Sequence, residues 1–334
     1  MAILVTGGAG FIGSHVVREL VEGGWAVLAL DDLSGGFRQN IHPKATFIEG
    51  SILNTGLIQR VFSAHRIDYV FHLAAYAAEG LSHFIKRFNY ENNLIGSVNL
   101  INAAVNHGVK CFVFTSSIAV YGQNRCPLTE DLVPHPEDSY GIAKLAVEQE
   151  LKICKQLFDL NYIIFRPHNV YGDYQNIWDK YRNVVGIFMN QIMQNKPLTV
   201  FGDGKQTRAF TYIRDVSPVM ARSILVEGAY NEIFNIGGDA VCTVQQLAEE
   251  VCRVMGVDLR VEYLAERAEV KHAHASHEKV RKVLGYDPRY TLREGLQHAA
   301  RWARSVGPRA STKFRGIEIP KNMPAAWLDV IDEK

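Results

Sequence analysis

The chain has 334 residues, of which 47% are hydrophobic, and its 36 basic and 35 acidic side chains leave a formal net charge of +1. This balance provides no bulk attraction to nucleic acid or to a membrane surface, so we expect neither as a partner. The apolar runs are strand-sized, well below the roughly 18 residues of a membrane span. Five cysteines without CxxC spacing, and an amino terminus without a basic leader, indicate reduced thiols and a cytoplasmic protein.

Short apolar runs alternate with helix-length segments through the first half of the chain. The predicted strands are Ile3–Thr6, Ala26–Asp31, Ala45–Ile48, Tyr69–Leu73, Cys111–Thr115 and Tyr162–Phe165. The predicted helices are Phe11–Glu22, Leu57–Ala64, Phe84–His107 and Ser139–Phe158. The strand runs lack polar alternation, which is typical of strands buried on both faces, and their alternation with helices predicts an α/β fold with a doubly wound parallel sheet of the Rossmann type.

The pattern changes after about residue 166, where the segments become shorter and more mixed. We expect this part to form a smaller α/β lobe over the carboxyl ends of the strands, where open sheets bind ligands. The predicted division is a Rossmann domain in 1–166 with part of 205–240, and a substrate-binding lobe in 167–204 and 241–305. The tail, 306–334, contains three prolines, and no element is predicted for it.

A glycine-rich turn, TGGAGFIG at residues 6–13, follows the first strand and opens the first helix. Gly8, Gly10 and Gly13 satisfy GxGxxG, and Gly7 with the last two satisfies GxxGxxG. Such glycines permit a tight turn, a close approach of backbone amides to a pyrophosphate, and close packing of helix on strand. The positive end of the helix dipole also faces the phosphates. The motif therefore predicts a dinucleotide site, against the alternative of a glycine turn without a ligand.

Two carboxylates, Asp31 and Asp32, end the second strand, eighteen positions after Gly13. An acidic residue there accepts hydrogen bonds from the adenosine ribose and repels the 2′-phosphate of NADP. No basic residue lies beside the pair before Arg38. NAD is therefore the favoured cofactor, although solvated turn aspartates remain the alternative, more so for Asp32 than for Asp31.

A tyrosine and a lysine, Tyr140 and Lys144, lie four positions apart at the start of a predicted helix and therefore on one face of it. A nearby ammonium, and a positive nicotinamide ring, would lower the pKa of the phenol, so that Tyr140 could take a proton from a sugar hydroxyl. Ser117, at the end of the strand Cys111–Thr115, is a candidate proton relay. For Ser116 we expect a turn residue bonded to its own backbone.

At these residues the chain resembles the extended short-chain dehydrogenase/reductase family, most closely its UDP-galactose 4-epimerase group. The similarity runs from Ala2 to about Tyr286 and includes TGGAGFIGSH, LDDLS, FHLAA, ENN, SSIAVYG, YGIAK, RPHNVYG and GDGKQTRAFTYIRDV. It implies catalysis by Tyr140 as base, Lys144 as its tuner and nicotinamide-ribose ligand, and Ser117 as relay. It implies an NAD site of Gly7, Gly10, Phe11, Ile12, Gly13, Asp31, Asp32, Ser34, Gly35, Ser51, Ile52, Leu73, Ala74, Ala75, Tyr140, Lys144 and His168.

The same resemblance implies a nucleotide-sugar substrate. Its expected site consists of Glu79, Ser117, Asn169, Arg182, Val185, Arg208, Arg267 and Glu269. Asn169 and Arg208 are expected on the nucleotide diphosphate, and a guanidinium fork suits phosphate oxygens. Arg267 and Glu269 occupy the positions of a phosphate-binding arginine and a ribose-binding acid, with Glu in place of the usual Asp. The family also implies a homodimer that pairs the predicted helices Phe84–His107 and Ser139–Phe158, against a purely internal packing role for them.

Departures from the relatives narrow the reaction. Ile118 and Ala119 lie where 4,6-dehydratases carry Asp-Glu, where UDP-glucuronate decarboxylases carry Glu, and where 3,5-epimerases carry Cys. Neither side chain titrates, so these reactions are disfavoured. What remains is epimerisation at C4, in which NAD⁺ takes a hydride from C4, the 4-keto sugar turns over, and the hydride returns to the other face. The sequence thus predicts an NAD-dependent 4-epimerase acting on a nucleotide-linked hexose.

Other readings stay open at this point. Glu79, where the family often has an apolar residue, could bond sugar hydroxyls or act as an acid/base, which would suit a decarboxylase, a reductase or a 5-epimerase; the equal alternative is a solvated loop carboxylate. Lys180 and Arg182 could pair with a uronic acid, or be solvated loop charges. A non-catalytic NAD-binding regulator is a further alternative. His272, His274 and His277 alternate as on a strand, but without supporting carboxylates or thiols we expect no metal.

Overall fold

Seven parallel strands form the central sheet of the computed structural model, which describes residues 2–267, 269–311 and 314–328. The strand order is β11-β6-β5-β4-β1-β2-β3. The sheet strands are β1 (Ala2–Thr6), β2 (Val27–Asp31), β3 (Thr46–Glu49), β4 (Ile67–His72), β5 (Cys111–Thr115), β6 (Asn161–Pro167) and, after four short strands, β11 (Glu232–Ile236). The chain reverses its direction of winding between β3 and β4, on either side of β1. The predicted Rossmann-type fold is therefore confirmed.

Helices cover both faces of the sheet because successive strand residues point to opposite faces. Ile3 and Val5 of β1 pack with the helices Phe11–Glu22 (α1) and Ile213–Arg222, whereas Leu4 packs with helices on the other face. All three side chains are fully buried. Two hydrophobic cores thus sandwich the sheet and hold its strand ends in fixed register.

The helices before the second lobe agree with the predicted ones, with one exception. They are α1 (Phe11–Glu22), α2 (Thr55–Ala64), α3 (Glu79–Ser82), α4 (Lys86–Tyr90), α5 (Gly96–Asn106) and α6 (Ser139–Phe158). The predicted helix Phe84–His107 is wrong as a single element, because a wide π-helical turn, Glu91–Ile95, separates α4 from α5. In this turn Asn93 accepts a hydrogen bond from Tyr76 N at 2.8 Å and donates to Tyr76 O at 3.1 Å. The interruption therefore fixes the segment that follows β4.

The second lobe consists of short sheets and helices beyond residue 167. Its strands are β7 (Val170–Tyr171), β8 (Leu198–Phe201), β9 (Thr207–Ala209), β10 (Thr211–Tyr212), β12 (Val241–Thr243), β13 (Val261–Leu264) and β14 (His272–Ala273). Its helices, with α8 returning to the central sheet, are α7 (Val184–Met193), α8 (Ile213–Arg222), α9 (Val244–Met255), α10 (Glu278–Leu284), α11 (Leu292–Val306) and the tail helix α12 (Ala325–Leu328). Strand β9 joins antiparallel β12 to parallel β14, and β8 pairs with β13.

The seventh sheet strand, β11, and the helix α8 lie within 205–240, the stretch partly assigned to the first domain. The exact domain boundaries stay a prediction. Across the described residues, none of the helices combines the length and the apolar character needed to cross a membrane. The carboxyl ends of β1, β2, β4, β5 and β6 share one edge, so the loops that follow them meet there.

Candidate active site

A cavity of about 770 Å³ runs along the carboxyl edge of the sheet and under the second lobe. Its walls combine the glycine turn after β1, the loops after β2, β4 and β5, the start of α6, and lobe segments on both sides of β9. Of the predicted site residues, three lie outside this lining and all others border the cavity. The three are Ser51, His168 and Val185.

The glycine turn is tight because its backbone folds onto itself. Gly10 N donates to Gly7 O at 3.0 Å, and Gly7 has a φ of +71°, a conformation that favours glycine. A Cβ on Gly13 would lie 1.9 Å from Gly7 O, closer than any side chain tolerates. No side chain caps the amino terminus of α1, so its first backbone amides remain directed at the cavity. This end of the cavity fits a pyrophosphate.

Asp31 ties the glycine turn to the loop after β2. Its two carboxylate oxygens accept hydrogen bonds from Ala9 N at 3.0 Å and Leu33 N at 2.8 Å. Burial raises the pKa of Asp31, and these hydrogen bonds oppose that shift. Arg38 forms an ion pair with Glu49 and stacks over Phe47, with 4.9 Å between the guanidinium carbon and the ring centroid. Arg38 is therefore engaged by other groups, and the acidic end of β2 fits the unphosphorylated ribose of NAD.

The predicted catalytic side chains meet where α6 begins beside the end of β5. Asp138 caps α6 by accepting a hydrogen bond from Gly141 N at 2.8 Å, which fixes the first turn carrying Tyr140. Lys144 Nζ donates to Thr115 O at 2.8 Å and lies 5.7 Å from the centroid of the Tyr140 ring. Ser117 follows β5, accepts a hydrogen bond from Ala119 N at 3.1 Å, and borders the cavity beside Tyr140.

The pKa values of Tyr140 and Lys144 differ from the predicted ones. Burial raises the pKa of Tyr140 above its ordinary value, and the side chain of Ser117 opposes the shift. Burial also lowers the pKa of Lys144 to about 7, with Glu148 acting against it. Burial is the largest influence on the pKa of both groups, and the pKa of the phenol is raised rather than lowered beside Lys144. A positive charge bound beside Tyr140 would favour the phenolate.

A buried ion pair between Glu148 on α6 and Arg166 on β6 was missed by the motif reasoning. Arg166 donates to the two carboxylate oxygens at 2.9 and 2.5 Å, and both side chains are almost fully buried. Ser116 donates to the same carboxylate at 2.5 Å, so it is not the self-bonded turn residue that we predicted. Arg166 also stacks over Tyr121 at 4.6 Å. The pair locks α6 onto the end of β5, next to Ser117.

Three charged residues border the lobe side of the cavity. Arg208 donates to the carbonyl oxygens of Thr207 and Lys271, each at 2.9 Å, and its guanidinium lies 4.0 Å from Glu269. Arg267 donates to Glu269 at 2.9 Å. Two guanidinium groups thus share one carboxylate, which leaves an excess of positive charge for a diphosphate.

Asn169 joins the two halves of the site. It adopts a φ of +43°, and its side chain donates to Ala209 O at 3.1 Å, beside the strand that carries Arg208. Among non-glycine residues, asparagine is one of the few that tolerates this backbone conformation readily. The turn after β6 therefore brings Asn169 to the cavity next to the arginines.

Glu79 opens the short helix α3, and its side chain is exposed to the cavity. Limited hydration raises the pKa of its carboxyl group, the negative charge of Asp138 raises it further, and Arg208 opposes the shift. Glu79 is thus a carboxyl group that holds its proton more firmly than usual. Its place among Asp138, Tyr140 and Arg208 suits contact with a sugar.

Arg182 also borders the cavity, but it lies against the cofactor loop. A Cβ on Gly35 would come within 3.2 Å of its guanidinium nitrogen. Arg182 donates to Asp179 at 2.6 Å and stacks over Tyr76 at 4.7 Å. Lys180, the other basic residue weighed for a uronic acid, donates to Ala326 O at 3.2 Å. The ion pair with Asp179 makes Arg182 a weak candidate for a substrate carboxylate.

The three predicted residues outside the cavity each have another structural role. Ser51 accepts a hydrogen bond from Leu53 N at 3.2 Å in the turn before α2, and its neighbour Ile52 lines the cavity instead. Val185 is 1% exposed, within the core between lobe and sheet, and Val184 lines the cavity in its place. His168 is 2% exposed and contacts His277, with 2.9 Å between their Nε2 atoms.

Two of the three histidines considered as metal ligands, His272 and His277, make other contacts. His277 pairs with Asp239 at 2.8 Å as well as with His168, and His272 is hydrogen-bonded to Thr207 Oγ1 at 2.8 Å. Within the described ranges, no group of three or more histidine, cysteine or carboxylate side chains is arranged to hold a metal ion.

Comparisons with known proteins agree with this geometry. The model of the NAD dependent epimerase/dehydratase family matches residues 3–237. A UDP-glucose 4-epimerase of Halalkalibacterium halodurans is 33% identical over 319 residues, covering 90% of this chain and 95% of that protein. The chain belongs to the NAD dependent epimerase/dehydratase family, as the motifs predicted.

Solved structures similar to this chain include 4-epimerases of UDP-sugars. The crystal structure of a Thermotoga maritima UDP-glucose 4-epimerase with UDP-glucose superposes with a TM-score of 0.87 at 37% identity, covering 92% of this chain and 99% of that one. A Bacillus cereus UDP-glucuronic acid 4-epimerase, in complex with UDP-glucuronic acid and NAD, gives a TM-score of 0.85 at 29% identity, covering 92% and 100%. These relatives share a fold, but the sugar of the bound nucleotide differs between them.

Proposed function

We propose that this protein is an NAD-dependent 4-epimerase that acts on a UDP-linked hexose. The observation that carries the proposal is that the buried Tyr140 phenol, Ser117 and Lys144 all border the cavity at the edge where the glycine turn opens, with Lys144 Nζ 5.7 Å from the centroid of the Tyr140 ring. The next positions, Ile118 and Ala119, supply no acid or base. The site thus contains the groups that move a hydroxyl proton and lacks, at those positions, the extra groups of dehydratases.

The residues present fit NAD. The glycine turn and the open amides of α1 suit the pyrophosphate, Asp31 suits the adenosine ribose, and Lys144 suits the nicotinamide ribose. When bound, NAD⁺ supplies a reversible acceptor for the hydride at C4 of the sugar, so that the hydride can return to the opposite face of the sugar ring. Tyr140 takes the proton from O4 through or beside Ser117, and gives it back when the configuration is inverted.

The charge distribution supports a firm grip on the nucleotide and a looser grip on the sugar. Arg208 and Arg267 provide charged donors for the diphosphate, with Asn169 nearby. The sugar end presents the carboxyl group of Glu79 and the hydroxyl of Ser117. Because the 4-keto sugar must turn about its phosphate linkage, a site that fixes the diphosphate but permits rotation of the ring is what epimerisation needs.

Glu79 supports a second candidate, a sugar-nucleotide enzyme that also uses an acid/base, such as a 5-epimerase or a decarboxylase. The observation that favours it is a carboxyl group with a raised pKa that opens onto the cavity beside Tyr140. Uptake of solvent deuterium at C5, or release of CO₂ from a UDP-uronic acid, distinguishes this candidate from a plain 4-epimerase.

We also propose a homodimer formed through α5 and α6. Helix α6 and the turn before α5 expose large apolar side chains, between 44% and 68% accessible, at Ile95, Ile142, Ile153, Leu157 and Phe158. Pairing across a two-fold axis would bury them. The free cysteines fit a reducing compartment, and we propose the cytoplasm. Light scattering after gel filtration tests the dimer, and a monomeric mass contradicts it.

The test of the activity is product analysis. Purified protein is incubated with UDP-glucose, UDP-N-acetylglucosamine and UDP-glucuronic acid, and products are identified by NMR. We expect at least one C4 epimer, and loss of turnover by a factor on the order of 10³ or more in Tyr140→Phe, since proton transfer and its positioning act together. The matched control is Tyr162→Phe, a buried tyrosine outside the cavity. Near-normal turnover in Tyr140→Phe contradicts the assignment.

A further inference from the structure

The carboxyl-terminal segment 314–328, which we call the C-terminal strap, packs against one wall of the cavity from outside. Its Trp327 is 3% exposed and lies edge-on to the rings of Tyr181 and Phe201, with centroids 5.4 and 5.9 Å away. Both of those residues line the cavity, whereas Trp327 does not. Trp327 can therefore influence the site only through residues that line the cavity, such as Tyr181 and Phe201.

Glu318 attaches the strap to the segment that carries Glu79 and α4. The amides of Glu318 and Ile319 donate to Phe84 O at 2.9 and 3.2 Å. In return, the amides of Arg87 and Phe88 donate to the Glu318 carboxylate at 2.8 and 3.0 Å. These four bonds hold the strap in register beside the sugar-facing turn.

Trp327 lies next to that turn and next to Arg267. A Cβ on Gly80 would lie 3.2 Å from the Trp327 ring, so the residue after Glu79 packs closely against that ring. The Arg267 guanidinium lies 4.5 Å from the Phe201 centroid and 5.6 Å from the Trp327 centroid, while it donates to Glu269. Two aromatic rings and one carboxylate therefore define where Arg267 presents its charge.

We propose that Trp327 is a positioning residue for nucleotide binding, which holds Arg267 in the orientation that meets the substrate diphosphate. The aromatic contact attracts the cation and removes rotamers that would turn it towards solvent. Without the ring, Arg267 keeps its charge but loses its preorganisation, so the nucleotide binds more weakly. The inference rests on the proposed function, in which Arg267 contacts the nucleotide.

The test is the affinity of the purified holoenzyme for UDP, measured by calorimetry, which requires no turnover. Trp327→Leu keeps an apolar side chain in the strap but removes the aromatic face. We expect its dissociation constant for UDP to rise about tenfold, with KM for the UDP-sugar rising in parallel and kcat and bound NAD changing less than about twofold. Trp327→Phe, which keeps a ring, should restore most of the affinity.

The matched control is Trp302→Leu, which removes a ring from α11 that contacts Tyr174 away from the cavity. Wild-type affinity in Trp327→Leu overturns the inference, and so does an equal loss in Trp302→Leu, because both results would reduce Trp327 to general packing. If the wild-type protein binds UDP but epimerises none of the sugars, the proposed activity is contradicted and the role of Trp327 is not. A wild-type protein that binds no UDP overturns both.

Discussion

The dinucleotide end of the cavity is built from backbone groups that lie close together in the sequence, whereas the sugar-nucleotide end is assembled from side chains of several distant segments. At the first end, the turn after β1 and the loop after β2 are held by bonds such as Ala9 N to Asp31. At the second, Arg208, Arg267 and Glu79 come from separate elements, and the two arginines are oriented by Glu269 and, in the case of Arg267, also by Trp327.

This contrast separates two kinds of mutational effect. A change at the dinucleotide end alters backbone geometry, so it affects stability and cofactor retention together. A change at the sugar-nucleotide end alters the aim of a side chain, so it affects substrate affinity while the fold persists. The Glu148–Arg166 pair lies between the two ends and should influence both.

The largest effect on stability is expected at that junction. Glu148→Gln leaves Arg166 charged and buried without its partner, which costs about 3–5 kcal/mol of unfolding free energy. Urea denaturation measures the loss. The control is Glu91→Gln in the exposed Arg87–Glu91 pair, which should leave the unfolding midpoint nearly unchanged. A loss below about 1 kcal/mol in Glu148→Gln would show that the pair is not what anchors α6.

The next largest effect is expected at the glycine turn. Gly13→Ala forces a Cβ against Gly7 O, so we expect a cost of about 1–3 kcal/mol together with loss of bound NAD. Gly56→Ala is the matched control, since its Cβ meets only ordinary contacts in α2 and replaces a poor helix former. Absorbance of the released cofactor and thermal unfolding check both variants. Full NAD occupancy in Gly13→Ala contradicts the backbone account of this end.

The smallest effect concerns pH and Glu79. Because the folded state raises the pKa of this carboxyl group, it retains a proton that the unfolded chain releases above about pH 4.5. The stability contributed by this proton is present at low pH and is lost as the pH rises towards neutrality. Relative to Glu79→Gln, the wild type should therefore lose about 1–3 °C in Tm between pH 5 and pH 8, a modest value since the group is partly hydrated.

Two results would sharpen this last prediction. Glu262→Gln, an exposed change outside the cavity, should leave the pH profile of Tm unchanged. Parallel profiles for the wild type and Glu79→Gln would show that Glu79 is fully solvated, and would remove the main support for the acid/base candidate.

The dinucleotide end could be predicted from the sequence because its determinants are local. Periodicity and glycine spacing located α1, β5 and α6 at their observed bounds, and Gly7, Gly10 and Gly13 of the motif border the cavity. The break in Phe84–His107 could not be read from periodicity, since the wide turn at Glu91–Ile95 is stabilised by the distant Tyr76.

The sugar-nucleotide end depends on contacts that no local pattern encodes. The carboxylate partner of Arg166 and the aromatic partners of Trp327 lie on other elements of the fold, 18 residues away for Arg166 and more than a hundred residues away for Trp327. His168 lies within the RPHNVYG motif and was therefore assigned to the cofactor, yet its side chain points to His277. No element was predicted for the tail, which contains three prolines. The strap within it packs through aromatic side chains and Glu318, and these contacts could not be predicted from a local pattern.

The central claim is that one hydrogen leaves C4 and returns to it within the same active site. The direct measurement uses a UDP-hexose with deuterium at C4, incubated in ordinary water, with the product examined by NMR and mass spectrometry. The account predicts a C4 epimer that keeps its deuterium at C4. An epimer with a solvent-derived hydrogen at C4, or deuterium-labelled substrate recovered without any epimer from every UDP-sugar supplied, would contradict it.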